Sequence, residues 1–206
     1  MDWQAWHQRY DDPGSDLSRR LDAVKTQVRA ALDRAPDGPV RVISLCAGQG
    51  RDLLDVLEDH PRRADVRARL VELDPELAAA ARERAPAEVE VITGDASLTD
   101  QYDGMVPAEL VLLCGIFGNI TAADIRRTVA ASRQFCATGG TVIWTRHREE
   151  PDLVPEICGW FEDGGFERVW VSEKDAGFGV AVHRFTGVPE PLVRGRQLFS
   201  FVPGGV

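Results

Sequence analysis

From Val40 onward the chain alternates between short apolar runs and longer stretches in which apolar residues return every three or four positions. Residues 40–46, 68–73, 89–93, 109–114 and 140–147 read as strands. Several of these runs are continuously apolar, as expected of strands covered on both faces. Between them the periodicity predicts helices over residues 51–59, 76–85, 122–136 and 152–163. Asp74-Pro75-Glu76 supplies a capping side chain and then proline at the first helical position. Residues 137–140 are expected to close the helix before them, with glycine in a left-handed C-cap. Strand–helix–strand alternation of this kind implies crossover connections and a parallel sheet.

After residue 163 the rhythm changes. Residues 166–172 and 178–185 are two strand candidates joined by a short polar turn. That link is too short for a crossover helix, so the two must pair antiparallel. The predicted fold class is α/β: a doubly wound, mostly parallel seven-stranded sheet with an antiparallel C-terminal hairpin. Ahead of the first strand, residues 15–34 place Leu17, Leu21, Val24, Val28 and Leu32 on one helical face. An aromatic leader with Trp3, Trp6, His7 and Tyr10 precedes it, expected either as a lid over a ligand or as an apolar plug on the sheet. A tail, residues 188–206, carries an apolar patch at 198–201 and is expected to pack on the surface. The whole reads as one domain: residues 1–36 as leader and helix, 40–187 as core, then the tail.

Charge narrows the partners. The 206 residues hold 24 Lys and Arg against 33 Asp and Glu, a net charge of −9. The densest basic stretch, residues 62–69, reads as a solvated connection and is too small to follow a phosphate backbone. A small-molecule partner is therefore expected, and no nucleic acid. Cys46, Cys114, Cys136 and Cys158 share no close spacing, so neither zinc nor a redox dithiol is expected, and free thiols among apolar residues fit a reducing cytoplasm. The first residues lack the basic start and apolar stretch of a signal peptide. The most apolar run, residues 110–117, is far shorter than the roughly 20 residues that cross a bilayer. The expectation is a cytoplasmic protein without membrane contact; whether it works alone or as a homodimer is left open by the sequence.

In an open parallel sheet, ligands bind beyond the carboxyl ends of the strands. The first strand exits through Ser44-Leu45-Cys46-Ala47-Gly48-Gln49-Gly50-Arg51-Asp52. Small residues at 47, 48 and 50 let a ligand approach the backbone, and amides opening the next helix would point at it. Glu72, twenty-four positions after Gly48, ends the second strand, where a carboxylate can accept both hydroxyls of a ribose. Asp95 follows the third strand as a further acid. A dinucleotide fold would place a third glycine where Leu53 stands and would lack the closing hairpin, which leaves a nicotinamide-dependent oxidoreductase as the weaker reading.

On the segments VISLCAGQGRD, VELDPELAAAAR, VITGDAS, AELVLLCGIFGN and GGTVIWTRH, with the hairpin, the sequence resembles class I S-adenosylmethionine-dependent methyltransferases over residues 40–185. The resemblance implies the Rossmann-like methyltransferase fold, S-adenosylmethionine as cofactor, and direct in-line transfer of its methyl group to a small-molecule acceptor. It further implies that Ala47, Gly48 and Gly50 lie along the methionine part, with Cys46 beside them. Glu72 would hold the ribose hydroxyls, Leu73 would lie against the adenine, Asp95 would reach the adenine amino group, and Ala96 would offer its amide to the ring. Cys114 and Gly115 would face the amino acid portion. The family's loop usually reads acid-x-Gly-x-Gly-x-Gly; here Ser44 stands for the acid and Cys46 for the first glycine. Ser44 brings no negative charge to the cofactor's ammonium, so another group must. Cys46 is expected to adopt a backbone conformation open to any residue. A cofactor-binding protein without turnover is the third reading, suggested by these two departures.

A sulfonium is already an activated methyl donor, so the protein mainly aligns the acceptor and excludes water. A general base is needed only for a protonated acceptor. His147, ending the fifth strand, is the candidate base, or else a hydrogen-bonded loop histidine. Phe117 and Asn119, with Trp6, His7 and Tyr10, are candidate acceptor contacts, although Asn119 is equally placed to cap the helix that begins near Thr121. His60 and His183 read as exposed or structural. Asp11, Asp12 and Asp16 read as acids favouring the positive end of a helix, and no metal constellation is expected.

Overall fold

Ser15 opens the first helix by accepting the Ser18 amide on its hydroxyl, and α1 then runs over Asp16–Arg34. The computed structural model describes residue 12 and residues 14–202; the aromatic leader with Trp3, Trp6, His7 and Tyr10 lies outside them. Helix α1 buries Leu17, Val24, Val28 and Leu32, four of the five positions its spacing predicts, and leaves Leu21 half-buried. The strands follow at β1 (Val40–Leu45), β2 (Val66–Glu72), β3 (Val89–Thr93), β4 (Ala108–Leu113) and β5 (Cys136–His147). Helices α2 (Arg51–Leu57), α3 (Pro75–Arg84) and α4 (Ala122–Phe135) alternate with them. Helix α5 (Val154–Asp163) then leads to β6 (Phe166–Val171) and β7 (Phe178–Phe185).

The seven strands lie in the order β3-β2-β1-β4-β5-β7-β6. All neighbours up to β5 are parallel, while β7 runs antiparallel to both β5 and β6. The hairpin is thus not simply added at the edge: its second strand is inserted beside β5. Alternate residues serve opposite faces. Val42, Leu70, Leu112 and Ile143 pack with Val28 and Leu53 beneath α1 and α2. Ile43, Val111 and Trp144 pack with Ile125, Ile157 and Phe161 of α4 and α5. Among the described residues no helix is long and apolar enough to cross a membrane.

Three expectations are corrected by long-range packing. Helix α4 ends at Phe135 without a left-handed cap, because Cys136 is already extended and starts β5; Gly139 does have φ 81°, but it sits where the β4–β5 register shifts. The tail does run largely exposed over the surface, but its apolar patch goes deeper: Leu198 and Phe199 are buried with Ile116 and Ile120, and bridges join Leu98 to Gln197 and Ile120 to Phe201. The basic stretch is not merely solvated either. Arg62 donates to the carbonyls of Leu32, Ala35, Pro36 and Gly38, and its Nε to Asp65. It staples the end of α1 to the start of β1.

Both internal histidines are structural rather than exposed. His60 accepts the Arg62 amide on Nδ1, and His183 accepts Trp144 Nε1 at 3.2 Å. His183 stacks on Phe161, and burial pushes its pKa down to about 3, so it stays neutral.

Candidate functional site

The strand exits that the sequence singles out do converge. Beyond the ends of β1, β2 and β4 lies a cavity of about 320 Å³, within the usual range for small-molecule sites. Cys46, Ala47, Gly48, Glu72, Leu73, Cys114 and Gly115 line it. Arg20, Leu21 and Val24 of α1 form another wall, and Gln49, Arg51, Asp52, Thr145 and Phe201 also face it.

Loop geometry explains how the wall is built. Cys46 has φ 54°, so it keeps the left-handed conformation natural to glycine rather than an unstrained one, correcting the expectation for this position. Gly48 follows at φ 56° and Gly50 at φ 69°. Gly50 does not line the cavity. A Cβ there would stand 2.7 Å from Leu70 Cδ2 and 2.9 Å from Leu54 Cδ1, so this glycine lets α2 seat against β2.

Glu72 is tied to the loop. Its Oε2 accepts the Gly48 amide at 2.7 Å and its Oε1 the Asp74 amide at 2.9 Å, which fixes a buried carboxylate at the cavity wall. Each oxygen keeps a further lone pair for a ligand. Leu73, next to it, is 65% exposed and offers an apolar surface to whatever enters.

On the far side of β1, the turn after β4 is braced from below. Thr145 Oγ1 accepts the Gly115 amide at 2.8 Å, Asn119 Nδ2 donates to the Gly115 carbonyl, and buried Arg146 donates to the Phe117 carbonyl at 2.5 Å. Sequence reasoning missed Thr145 and Arg146, since alternating residues of a long strand carry no mark of which loop they support.

Other predicted positions lie elsewhere. Asp95 and Ala96 do not line the cavity: Asp95 accepts the Ser97 amide, and the buried Ala96 carbonyl accepts the Tyr102 hydroxyl. Asp95 is still close enough to act on Cys46. Burial first, then the fields of Glu72 and Asp95, push that thiol well above its ordinary value, so it is no nucleophile at neutral pH. Phe117 is fully buried against Trp144, with ring centroids 5.7 Å apart, and cannot contact an acceptor as placed. Asn119 braces its own turn, while Thr121 caps α4 by accepting the Asp124 amide. His147 ends β5 outside the lining, with Nδ1 accepting the Glu149 amide, the arrangement of a loop histidine. No group of three or more potential metal ligands occurs among the described residues.

Asp52 is the group that pattern reading did not single out. It lies at the second residue of α2, faces the cavity, and is 8% exposed. Its Oδ1 has no hydrogen-bond partner. Burial raises its pKa to about 6 and Asp55 adds to this, against the opposing amides of Leu53 and Asp52 and the Cys114 thiol.

No family model matches the chain, and no curated protein matches it. Solved structures do. An O-methyltransferase family protein from Burkholderia thailandensis superposes with a TM-score of 0.66 at 19% identity, over 90% of this chain and 61% of that one. This chain therefore spans under two thirds of that protein's length. A 1,6-didemethyltoxoflavin-N1-methyltransferase from the same organism, solved with bound 1,6-didemethyltoxoflavin and S-adenosylhomocysteine, gives 0.62 at 17% identity over 89% and 87%. A TehB-like S-adenosylmethionine-dependent methyltransferase from Corynebacterium glutamicum gives 0.60 at 17% over 87% and 96%. The chain has the Rossmann-like methyltransferase fold. At these identities the likeness speaks for the architecture alone.

Proposed function

We propose that the chain is an S-adenosylmethionine-dependent methyltransferase that acts on a small-molecule acceptor. The observation that carries this is a buried carboxylate, Glu72, locked to the glycine loop through Gly48 at the rim of an open cavity. Its remaining lone pairs suit the paired hydroxyls of a ribose. Leu73 and Leu77 give an apolar wall for an adenine, and the cavity is large enough for a ligand of this class. An orphaned carboxylate oxygen at Asp52 adds a place for a positive charge.

When bound, the sulfonium supplies an activated methyl group. The chain's own residues then hold and align. Glu72 and the 46–49 loop fix the nucleoside, while the braced turn at Gly115 fixes the other end. Helix α1 covers the cavity through Leu21 and Val24 and limits the access of water. The lining contains no histidine among the described residues, and both of its thiols, Cys46 and Cys114, are pushed up by burial.

A nicotinamide enzyme is disfavoured by Leu53, which is fully buried where a dinucleotide fold uses glycine to bring helix and strand together. The test is equilibrium binding of S-adenosylmethionine and of NAD to the purified protein, with mass spectrometry of any ligand carried through purification. Saturable binding of the former alone supports the reading, and preference for NAD overturns it. Release of S-adenosylhomocysteine with an added acceptor separates an enzyme from a protein that only binds.

A further inference from the structure

The cavity contains a negative charge that the nucleoside does not explain. A buried, ionised carboxylate with an unpartnered oxygen is costly, and a fold keeps one where something arrives to meet it. Asp52 is such a group, and its position in the topology narrows what arrives. Glu72 ends β2 on one side of β1, whereas Asp52 shares the other side with Cys114, Gly115 and Thr145. Ser44, at the loop position where an acid would be expected, is itself buried, absent from the lining and unpartnered at Oγ. The strand end thus carries no charge at residue 44, and the helix eight residues later presents one to the cavity.

We propose that Asp52 receives the ammonium of the cofactor's amino acid portion, in place of the acid absent at Ser44. This rests on reading the cavity as an S-adenosylmethionine site. The pairing is a charge-assisted hydrogen bond in a place largely shielded from water, where such bonds are strongest. An arriving cation would draw the burial-raised pKa of this carboxyl back down and keep it ionised. Among the described residues, the other charged or titratable groups facing this space are Arg20 of α1, Arg51, Glu72, Asp74 and the neutral thiols of Cys46 and Cys114, with Asp55 acting on Asp52 from the same helix. Arg20 brings the opposite charge to this wall, so that a zwitterion would meet both signs.

The decisive comparison is calorimetric binding of three ligands to the wild type and to Asp52→Asn. They are S-adenosylhomocysteine, its decarboxylated counterpart that keeps the amine, and 5′-methylthioadenosine, which lacks the amino acid portion altogether. At pH 8 the variant should bind the first two about tenfold or more weakly. Its affinity for 5′-methylthioadenosine should stay within about twofold. Wild-type affinity for S-adenosylhomocysteine should fall as the pH drops below 6, and that dependence should vanish in the variant. A thermal melt verifies that Asp52→Asn is folded. Equal loss across all three ligands, or loss with none, overturns the assignment and leaves the cofactor reading standing. If the wild type binds none of the three, the cofactor reading itself falls.

Discussion

The two edges of the sheet treat charge in opposite ways. At the edge where strands begin, Arg62 is saturated, serving four carbonyls and Asp65. At the edge where strands end, Asp52 keeps an oxygen without a partner and Cys46 holds a conformation that suits glycine. Satisfied groups hold the chain together. At the cavity, the unsatisfied Asp52 oxygen and the strained Cys46 backbone lie in one lining, the kind of cost a binding site retains.

Four substitutions probe this contrast. Glu72→Ala should have the largest effect, lowering affinity for S-adenosylhomocysteine by about two to three orders of magnitude, because it removes the ribose acceptor and frees the Gly48 and Asp74 amides that organise the loop. Isothermal titration checks this. Next comes Arg62→Ala, which should cost about 3 kcal/mol of stability in urea unfolding and leave ligand affinity unchanged, since its bonds close the opposite edge. A matching loss of affinity would dissolve the distinction between the two edges.

Asp52→Asn should do the reverse of Arg62→Ala. The carboxyl is raised from 3.8 to about 6 in the fold, so the folded state holds its proton more tightly than the unfolded chain. The stability cost of Asp52 therefore develops as pH rises from 3.8 through about 6, and is complete above that. At pH 8 the variant should gain up to about 3 kcal/mol, a gain that disappears towards pH 4. Denaturant melts at the two pH values read this directly. The smallest effect is expected for Cys46→Gly, which relieves a left-handed non-glycine residue and should stabilise the protein by about 1 kcal/mol, an upward shift in melting temperature of a few degrees.

Much of the fold is legible in the sequence because strands buried on both faces leave continuous apolar runs, and Asp74-Pro75 marks its helix by local chemistry alone. The insertion of β7 between β5 and β6 is not legible, since a short turn fixes pairing with β6 but says nothing of the other neighbour. Leu198 and Phe199 look like any exposed apolar patch until β4 and α4 supply the partners that bury them. At the site, the glycine loop and Glu72 stand out because their chemistry is bound to local spacing. Asp52 does not. In sequence it is an ordinary acid in the first turn of a helix, and only the approach of α1 and of the β4 exit turns it into a buried charge.

The most direct measurement is a crystal structure with S-adenosylhomocysteine bound. The account predicts the ligand in the cavity beyond β1, β2 and β4, with both ribose hydroxyls within hydrogen-bond reach of the Glu72 carboxylate. A nucleoside seated elsewhere, or a Glu72 side chain turned away from it, would contradict the account.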